Sequence, residues 1–483
     1  MAPAEHVGAL PAGATRGQLV AEVARTLDVV PDGASAVVAV SGGPDSTAMA
    51  ALVEEARPDL DLLLVHVRHG LRDDQEDADA ATALAAALGA RIRIEEVTVH
   101  ADGHGMEDAA RRVRHAALER AATRARATRI LVGHTADDQA ETVLLRLARG
   151  TGLAGLGAMR GDTGRILRPL LRIRRADVHA FVAGEGLPAV TDPTNADPAI
   201  RRVRVRQDVL PAMARIGGDP VGALSRLADL AASDEDVLDR LTRQAIQEHV
   251  VRVGPCRCVA LDGLAAVGLS TSRRIVRHLL TDAGADEHGP PADHVEAALG
   301  LHNGAAFDLG TIRVSCGGGW LAVGPAQPPE ATDVQLAVPG RQPWPLLGAD
   351  VLAVATEQAP PLPLGLEMAR PVNPEPPMVV PGARDDRQSL RLPADVGDLS
   401  IRTARHGDRI ATDGGTRKLS DVVADAGVPR VVRPLLPVVT AADRVIWVPG
   451  LAADRDVLHE GRSQPGAVLH LVRQRHARRR TAA

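Results

Sequence analysis

Short runs of β-branched and apolar residues alternate with longer helix-like segments from about residue 35 to residue 190. The intervening segments are rich in alanine, and their apolar positions recur at a spacing near 3.6 residues, which is typical of amphipathic helices. Strands that alternate with helices of this length predict right-handed βαβ units and a parallel sheet covered on both faces. We therefore expect an α/β fold, a doubly wound parallel sheet. The predicted strands are AVVAV (36–40), LDLLLVHV (60–67), RIRIEEV (91–97) and RILVGH (129–134).

The pattern changes twice further along the chain. Long helical stretches follow the α/β part and close with short strand-like pieces, and a proline-dense segment then favours extended linker over packed core. After it, the pattern is typical of a small α/β or β-rich module with a basic tail. The expected regions are an α/β domain (1–215), a mostly helical domain (216–328), a Pro-rich connecting segment (329–394), a small C-terminal module (395–470) and a tail (471–483).

Composition excludes several classes of protein. The chain has 483 residues, of which 45% are hydrophobic and 24% charged, as in an ordinary globular protein of several domains. No apolar run approaches the ~18 residues that a membrane span needs, and the first residues do not resemble a signal peptide. We expect a cytoplasmic protein with no membrane contact. The three cysteines include no CxxC pair, so neither a disulfide framework nor a zinc site is indicated.

Charge and aromatic content bear on nucleic-acid binding. There is no Tyr and there are only two Phe, so aromatic platforms for stacking bases are scarce. Lys418 is the single lysine, and the net charge is −5. Residues 160–215 nevertheless hold eleven Arg against six Asp or Glu, a local basic stripe that could contact RNA phosphates. The alternative is an ordinary solvated surface that is rich in arginine because the whole chain is.

The first predicted strand leads into the segment SGGPDS, residues 41–46, which opens a helix. Adjacent glycines permit close backbone approach, and the free N–H groups of a helix N-terminus attract anions, so a phosphate-bearing ligand is expected. The Walker A motif needs a lysine, but none precedes Lys418. The Rossmann motif needs GxGxxG, which the adjacent glycines do not supply. A P-loop NTPase and a hydride-transfer enzyme are both excluded.

The helix predicted after the fourth strand carries two carboxylates on one face. Asp138 and Glu141 lie at i and i+3, at the expected ligand-binding edge of the sheet. Carboxylates beside a triphosphate suit direct or water-mediated binding of Mg²⁺. The alternative is that acidic residues are simply favoured by the helix dipole. His134, at the end of the strand, is either a satisfied loop histidine or a group for proton transfer and contact with the α-phosphate.

SGGPDS resembles the PP-loop, SGGxDS, of the N-type ATP pyrophosphatases. The resemblance implies that the loop binds the β- and γ-phosphates of ATP while the α-phosphate is attacked, and that Asp45 helps to hold Mg²⁺. The reaction implied is adenylation with loss of pyrophosphate. The expected ATP-binding residues are Ser41, Gly42, Gly43, Pro44, Asp45 and Ser46.

Longer motifs are similar to those of the tRNA(Ile)-lysidine synthetase family. The chain departs from the family pattern at Arg68, His115 and Val203, where Asn, Tyr and Asn are usual. The C-terminal stretches 402–410, 417–423, 433–439 and 446–451 also look like the family's C-terminal domain. The motifs of the first domain are VHVRHGLR (65–72), MEDAARRVRHAAL (106–118), GHTADDQAETVLLRLARGTGLAGLGAM (133–159), RPLL (168–171), DPTN (192–195) and RVRVRQDVLP (202–211).

This resemblance implies a reaction and its participants. The wobble cytidine of a CAU-anticodon tRNA(Ile) would attack the α-phosphate of ATP, and free L-lysine would then displace AMP. The sequence leaves the oligomeric state open, with a homodimer as one option. The residues expected at the metal and the reaction centre are Asp45, His134, Asp138 and Glu141, with Asp45, Asp138 and Glu141 as the metal ligands. Those expected to grip phosphate or tRNA are Arg111, Arg204 and Arg206.

Two rival functions are carried forward. A PP-loop tRNA thiolase activates a base in the same way but delivers sulfur, generally with catalytic or cluster-binding cysteines. Here Cys256, Cys258 and Cys316 all lie outside the expected nucleotide domain. The second rival is a non-catalytic, ATP-binding RNA-interaction protein, which would release no pyrophosphate.

Overall fold

The structure is a computed structural model, and its chain divides into two compact units. We call Met1–Val237 the N-terminal unit and Leu238–Ala483 the C-terminal unit. The residues that the structure describes are 8–68, 75–99, 106–190, 197, 199–284, 289–327, 329–330, 332–355, 381, 389–458 and 465–473.

The N-terminal unit alternates strands and helices, as the sequence predicts. A π-helical turn, Val205–Val209, separates its eighth and ninth helices. Its elements are, in chain order, α1 (Arg16–Leu27), β1 (Ser35–Ala39), α2 (Pro44–Ala56), β2 (Asp61–Arg68), α3 (Gln75–Leu88), β3 (Arg91–Glu96), α4 (Met106–Arg124), β4 (Arg129–Leu131), α5 (Ala136–Leu147), α6 (Leu153–Leu156), β5 (Ile166–Leu167), α7 (Arg175–Gly184), α8 (Arg201–Arg204), α9 (Leu210–Ile216) and the start of α10 (Pro220–His249).

A five-stranded parallel sheet in the order β3-β2-β1-β4-β5 forms the centre of this unit. In the central strand, Val38 pairs with Leu64 of β2 and with Leu131 of β4. Val38 packs into the core on the side of α1, α2 and α7, whereas Val37 packs on the other side, where Leu118 of α4 lies. Helices therefore cover both faces, and the predicted doubly wound parallel sheet is confirmed.

The strand order reverses between β1 and β4, which are neighbours in the sheet. In doubly wound sheets the ligand site lies beyond the carboxyl ends of the strands at this reversal. The loop at residues 41–46 follows β1, and the loop at residues 132–135 follows β4. Since β4 ends at Leu131, before the predicted position 134, His134 is a loop residue.

In its described residues, the C-terminal unit combines three helices and the rest of α10 with antiparallel sheets. Among the described residues, no helix of the chain is both long and apolar enough to cross a membrane. The elements of this unit are β6 (Val250–Val253), β7 (Cys256–Ala260), α11 (Leu261–Asp282), α12 (Ala292–Leu299), β8 (Ala306–Leu309), β9 (Ile312–Gly317), β10 (Trp320–Pro325), β11 (Asp333–Leu336), β12 (Gly340–Trp344), β13 (Ala349–Ala355), β14 (Ser389–Pro393), β15 (Leu399–Arg402), β16 (Arg409–Thr412), β17 (Gly415–Lys418), α13 (Leu419–Asp425), β18 (Val438–Ala441), β19 (Arg444–Val448), β20 (Ala452–Ala453) and β21 (Pro465–Arg473).

The described residues of the C-terminal unit form three larger sheets and the two-stranded sheet β16-β17. The first, in the order β6-β7-β10-β9-β8, packs against α11 and α12, so the predicted helical region also contains a sheet. The second and third, β11-β15-β18-β19-β20 and β12-β13-β21-β14, share one core that includes Trp344 and Trp447. The predicted small C-terminal module therefore belongs to a larger β-rich body.

The structure corrects the expectation that residues 329–394 only connect two domains. Strands β11, β12 and β13 lie in the first part of that range, and β14 lies at its end. The prediction is based on the proline-dense stretch 356–383, and it wrongly includes flanking residues that form strands. In those flanks, Pro343 and Pro393 occur in β12 and β14, the two edge strands of their sheet. An edge strand tolerates a residue that has no N–H to donate. Residues 356–380 and 382–388, and the tail after residue 473, lie outside the described residues.

Candidate active site

The segment of residues 41–46 runs from the loop after β1 into the first turn of α2, and it turns sharply at Gly42, whose φ is +84°. A Cβ atom on Gly42 would lie 2.7 Å from the Cα and the carbonyl oxygen of Asp77, so two separate constraints require glycine there. Gly43 caps α2 and Pro44 is its first residue, where a missing N–H breaks no intrahelical hydrogen bond. The result is a tight turn at a helix N-terminus, a conformation suited to an anion. We call residues 41–46 the phosphate loop.

Ser46 holds the phosphate loop together from within. Its Oγ accepts a hydrogen bond from the Ser41 N–H at 3.0 Å and donates one to the Gly43 carbonyl oxygen at 3.0 Å. The Oγ atoms of Ser41 and Ser46 are 3.1 Å apart. The Gly42 carbonyl oxygen accepts from the Val190 N–H at 2.9 Å. The shape of the loop is therefore set before any ligand binds.

One guanidinium group, that of Arg175, joins the three carboxylates that the sequence suggests for metal binding. Its Nη2 donates to Asp138 Oδ1 at 2.7 Å, and its Nη1 donates to Glu141 Oε1 at 3.0 Å. Its Nε lies 3.6 Å from Asp45 Oδ2. Burial lowers the pKa of Arg175, but the three negative charges outweigh burial and raise it. We call these four residues the Arg175 cluster.

The N-termini of α5 and α7 position this cluster. Thr135 caps α5, and its N–H and hydroxyl both donate to Asp138 Oδ2 at 2.9 Å. Arg175 is the first residue of α7, and its backbone N–H donates to Asp137 Oδ2 at 2.8 Å. Burial would raise the pKa of Asp138, but the charge of Arg175 and the Thr135 hydrogen bond hold it below its ordinary value. Asp138 is therefore ionised at neutral pH.

Glu141 is completely buried and is surrounded by arginines. Besides Arg175, Arg206 donates from Nε to Oε1 at 2.7 Å, and Arg202 Nε lies 3.5 Å from Oε2. Arg202 and Arg206 are four positions apart, so they share a helix face. Arg204, between them, is exposed. Of the two arginines predicted in this segment, the structure brings Arg206 to the cluster and leaves Arg204 outside it.

The fit of the site to Mg²⁺ depends mainly on Asp45. Within the described parts of the chain, no group of three His, Cys, Asp or Glu side chains could hold a metal ion by itself. The Asp45 side chain is 29% exposed beside the phosphate loop, and its Oδ1 lies 3.1 Å from His179 Nε2. Mg²⁺ usually binds one or two carboxylates together with phosphate oxygens, so Asp45 fits an ion shared with a triphosphate. The metal role of Asp138 and Glu141 stays a prediction, because both accept hydrogen bonds from arginines here.

His134 is uncharged at neutral pH. Burial lowers its pKa to about 4, and the positive charges of Arg168, Arg111 and Arg202 act in the same direction, whereas Asp138 opposes them. Arg168 Nε donates a hydrogen bond to His134 Nδ1 at 3.2 Å. Both interpretations of His134, as a functional group and as an ordinary loop histidine, fit these contacts, so its functional role stays a prediction.

Arg111 lies among cations. Together with burial, its positive charge lowers the pKa of His115, Arg146 and Arg168. Mutual repulsion of this kind is relieved when an anion binds, and phosphates of ATP or RNA are suitable anions. The prediction that Arg111 grips phosphate or substrate is supported by this environment but stays a prediction.

Sequence reasoning missed Arg175 and Arg202 and gave Arg168 no role. A signal for Arg175 exists, since a cation at the first position of a helix is opposed by the helix dipole and needs a compensating partner. Residues 65–68 of the motif VHVRHGLR lie in β2, whereas residues 69–72 of that motif lie outside the described residues. The whole of the motif DPTN, residues 192–195, also lies outside them.

The lowered pKa of His134 predicts a pH dependence of stability. The unfolded chain binds a proton at this histidine below pH 6.5, whereas the folded chain does so only below about pH 4. Stability should therefore be fully present above pH 6.5 and decline as the pH falls toward 4. Urea midpoints at pH 7 and pH 5 should differ more for the wild type than for His134→Gln. Equal differences in the two proteins would contradict the prediction.

Comparisons with known proteins show which families the sequence of this chain is similar to. The PP-loop domain family matches residues 18–213, and the TilS substrate C-terminal domain family matches residues 399–471. A tRNA(Ile)-lysidine synthase of Symbiobacterium thermophilum is 36% identical, over 87% of this chain and 90% of that protein. One of Ralstonia nicotianae is 32% identical over 90% and 93%. One of Thermobifida fusca is 44% identical over 57% and 85%.

Proposed function

Since the chain belongs to the tRNA(Ile)-lysidine synthase family, we propose that it ligates free L-lysine to C2 of the wobble cytidine of a CAU-anticodon tRNA(Ile). ATP is converted to AMP and diphosphate in the process. The observation that carries this proposal is the position of the phosphate loop and the Arg175 cluster at one edge of the sheet. This is the edge at which a nucleotide binds in doubly wound folds.

The reaction needs two displacements. In the first, the C2 oxygen of the cytidine bonds to the α-phosphorus of ATP, and diphosphate leaves with the electrons of the broken P–O bond. In the second, the ε-amino nitrogen of lysine bonds to C2, and the C2–O bond breaks to release AMP. The lysine ammonium gives one proton to solvent before it attacks and a second after the C–N bond forms, so the nitrogen keeps one hydrogen. Adenylation is required because an oxygen bonded to C2 is otherwise a poor leaving group.

The chain's own residues orient the triphosphate for the first step. We place the β- and γ-phosphates against the phosphate loop, because it is a tight turn at the N-terminus of α2 and its shape is set in advance by Ser46. Asp45 is the residue that would hold Mg²⁺, which neutralises phosphate charge when it is bound. Asp138 and Glu141 lie beyond Asp45, joined to it through Arg175. To act as metal ligands, they would exchange their contacts with Arg175 for the ion.

Positively charged side chains around this edge are proposed to bind the tRNA and to take part in the reaction centre. We propose that Arg111 and Arg206 contact phosphate or the cytidine. The charge of Arg111 acts on His134, and Arg206 donates a hydrogen bond to Glu141. Arg204 is exposed and is assigned to the RNA backbone. All the proposed groups belong to one chain, so the proposal does not require a homodimer. ATP, lysine and tRNA occur together in the cytoplasm, which is the proposed location.

The thiolase rival is less consistent with the structure. Cys256 and Cys258 are buried in the C-terminal unit, and burial raises the pKa of Cys256 to about 12 and that of Cys258 well above its ordinary value. Cys316 is also buried, and burial raises its pKa. A thiolate or a cluster ligand needs a lowered thiol pKa. The three cysteines therefore have the opposite of the required chemistry.

An assay with labelled lysine tests the proposal and its site together. Purified protein, ATP, Mg²⁺ and CAU-anticodon tRNA should transfer label to the wobble base and release diphosphate. Ser46→Ala and Asp138→Asn should each lower the rate by about 10²-fold or more, as loss of one preorganised group commonly does. Ser35→Ala, at the other end of β1, should leave the rate unchanged. Diphosphate release without label on the base would favour another adenylating reaction, and no release would favour a binding protein.

A further inference from the structure

The contact between Arg168 and His134 fixes which nitrogen of the imidazole carries the proton. Arg168 Nε donates to His134 Nδ1 at 3.2 Å, and its Nη1 donates to the Arg160 carbonyl oxygen at 2.7 Å. A guanidinium has only donors, so Nδ1 must be the acceptor and cannot carry a hydrogen. Arg168 is 8% exposed, and the second bond holds its plane in place.

The surroundings of His134 keep the ring neutral with a single hydrogen. Burial and the charges of Arg168, Arg111 and Arg202 disfavour the imidazolium form, against the weaker opposite effect of Asp138. A neutral imidazole whose Nδ1 is an acceptor carries its hydrogen on Nε2. His134 can then donate a hydrogen bond from Nε2. It cannot accept another one, because the lone pair on Nδ1 already accepts the hydrogen bond from Arg168.

The loop that carries His134 lies directly against the phosphate loop. A Cβ atom on Gly133 would be 3.0 Å from the Asp45 carbonyl oxygen and 3.3 Å from the Ser46 Cα, so the two backbones approach as closely as glycine permits. When a triphosphate is bound beside this loop, a phosphate oxygen is the expected acceptor for the hydrogen on Nε2. Negative charge grows on such an oxygen as the phosphorus is attacked, which strengthens the hydrogen bond.

We propose that Arg168 is a positioning residue that holds His134 as the Nε2–H tautomer, and that His134 donates a hydrogen bond to a non-bridging α-phosphate oxygen without accepting a proton. No proton moves at His134 in either displacement. The identity of the acceptor rests on the proposed function, whereas the tautomer does not. The proton-transfer role that the sequence left open for His134 is thereby set aside in favour of phosphate contact.

Nitrogen NMR of the full chain tests the tautomer without any substrate. In protein labelled with ¹⁵N-histidine at pH 7, the signals missing from His134→Gln should show an unprotonated Nδ1 and a protonated Nε2. In Arg168→Met the same ring should shift toward a mixture of tautomers. A protonated Nδ1, or an imidazolium, in the wild type would overturn the proposal whatever reaction the protein catalyses.

Kinetics of diphosphate release test the donor. The amide nitrogen of Gln reaches the place of Nε2, whereas that of Asn reaches only the place of Nδ1. His134→Ala and His134→Asn should lower kcat by about 10²-fold or more, and His134→Gln should recover at least tenfold of that loss. Equal activity of the Gln and Asn variants would contradict a donor at Nε2.

A double substitution separates positioning from folding. Arg168→Met should lower kcat with little change in the KM for ATP, and Arg168→Lys, which keeps a donor for Nδ1, should restore part of the loss. In a His134→Gln background, Arg168→Met should have little further effect, since no tautomer remains to be fixed. Additive losses in the double variant would overturn the positioning role. If neither the wild type nor any variant releases diphosphate but the NMR result holds, the proposed reaction is wrong and the assigned tautomer of His134 is still supported.

Discussion

Substitution of Arg175 by methionine is expected to lower the free energy of unfolding of the N-terminal unit by about 3–5 kcal/mol, the usual effect of removing one partner of a buried ion pair. The Arg175 side chain is 14% exposed and contacts Asp138 and Glu141. Without it, Asp138 loses its guanidinium partner at 2.7 Å and retains its hydrogen bonds with Thr135. A buried carboxylate without its nearest counter-ion must become protonated or gain water, and either change disrupts the site. Lysidine formation should be lost as well.

Amide hydrogen exchange of the full chain measures this effect locally. Protection should fall in α5 and α7, and it should not change in β18 and β19 of the C-terminal unit. Arg120→Met, at an exposed position of α4, serves as the matched control and should leave all four elements unaffected. Arg175→Lys should recover only part of the protection, because an ammonium cannot contact three carboxylates as a planar guanidinium does. Similar exchange in Arg175→Met and Arg120→Met would disprove the central role of Arg175.

Adding a methyl group should disturb folding at Gly42 but not at Gly43, although both glycines belong to the phosphate loop. Gly42→Ala combines a φ of +84° with a Cβ position 2.7 Å from the Asp77 backbone, so the loop must rearrange and ATP binding should be lost. At Gly43, φ is −84° and the nearest atom to an added Cβ lies 3.5 Å away, an ordinary contact. Gly43→Ala should therefore fold normally but raise the KM for ATP about tenfold or more, because the phosphates need close access to the backbone.

Thermal melts and ATP titrations of both variants distinguish these outcomes. Gly42→Ala should melt at a lower temperature than the wild type, whereas Gly43→Ala should melt at the wild-type temperature yet show weaker ATP binding. Gly33→Ala provides a control for a strained glycine distant from the ligand, since Gly33 has a φ of +68° with open space around it. It should lower the melting temperature and leave the KM for ATP unchanged. Wild-type ATP affinity in Gly43→Ala would mean that the phosphates bind elsewhere.

The parallel sheet and the phosphate loop could be predicted because their determinants are local. AVVAV at 36–40 is a β-branched run with few alternatives, and it corresponds to β1 at Ser35–Ala39. Gly42 needs a positive φ, which neighbouring residues largely decide. The spacing of Asp138 and Glu141 also placed both on one face of α5, as the structure confirms through their shared partner.

The Arg175 cluster could not be predicted because its contacts are tertiary. Arg175 is 34 positions from Glu141, and farther still from Asp45, so no local pattern joins them. The pair Arg204 and Arg206 was chosen by type, but residues two apart on a helix face different ways. Once the helix is known, the i, i+4 spacing identifies Arg202 and Arg206 as the two arginines that approach Glu141 together.

The cations that surround this site are guanidinium groups, and that choice has a chemical consequence. The chain's single lysine, Lys418, belongs to β17 of the C-terminal unit, whereas Arg168, Arg175 and Arg206 line the candidate active site. Guanidinium stays protonated at physiological pH and is a poor nucleophile, unlike an amine that loses its proton on burial. An activated cytidine formed beside these side chains meets no lysine amine of the N-terminal unit. Within the N-terminal unit, no lysine side chain competes with the amino acid that arrives from solution, so that unit cannot become cross-linked to the tRNA through a lysine.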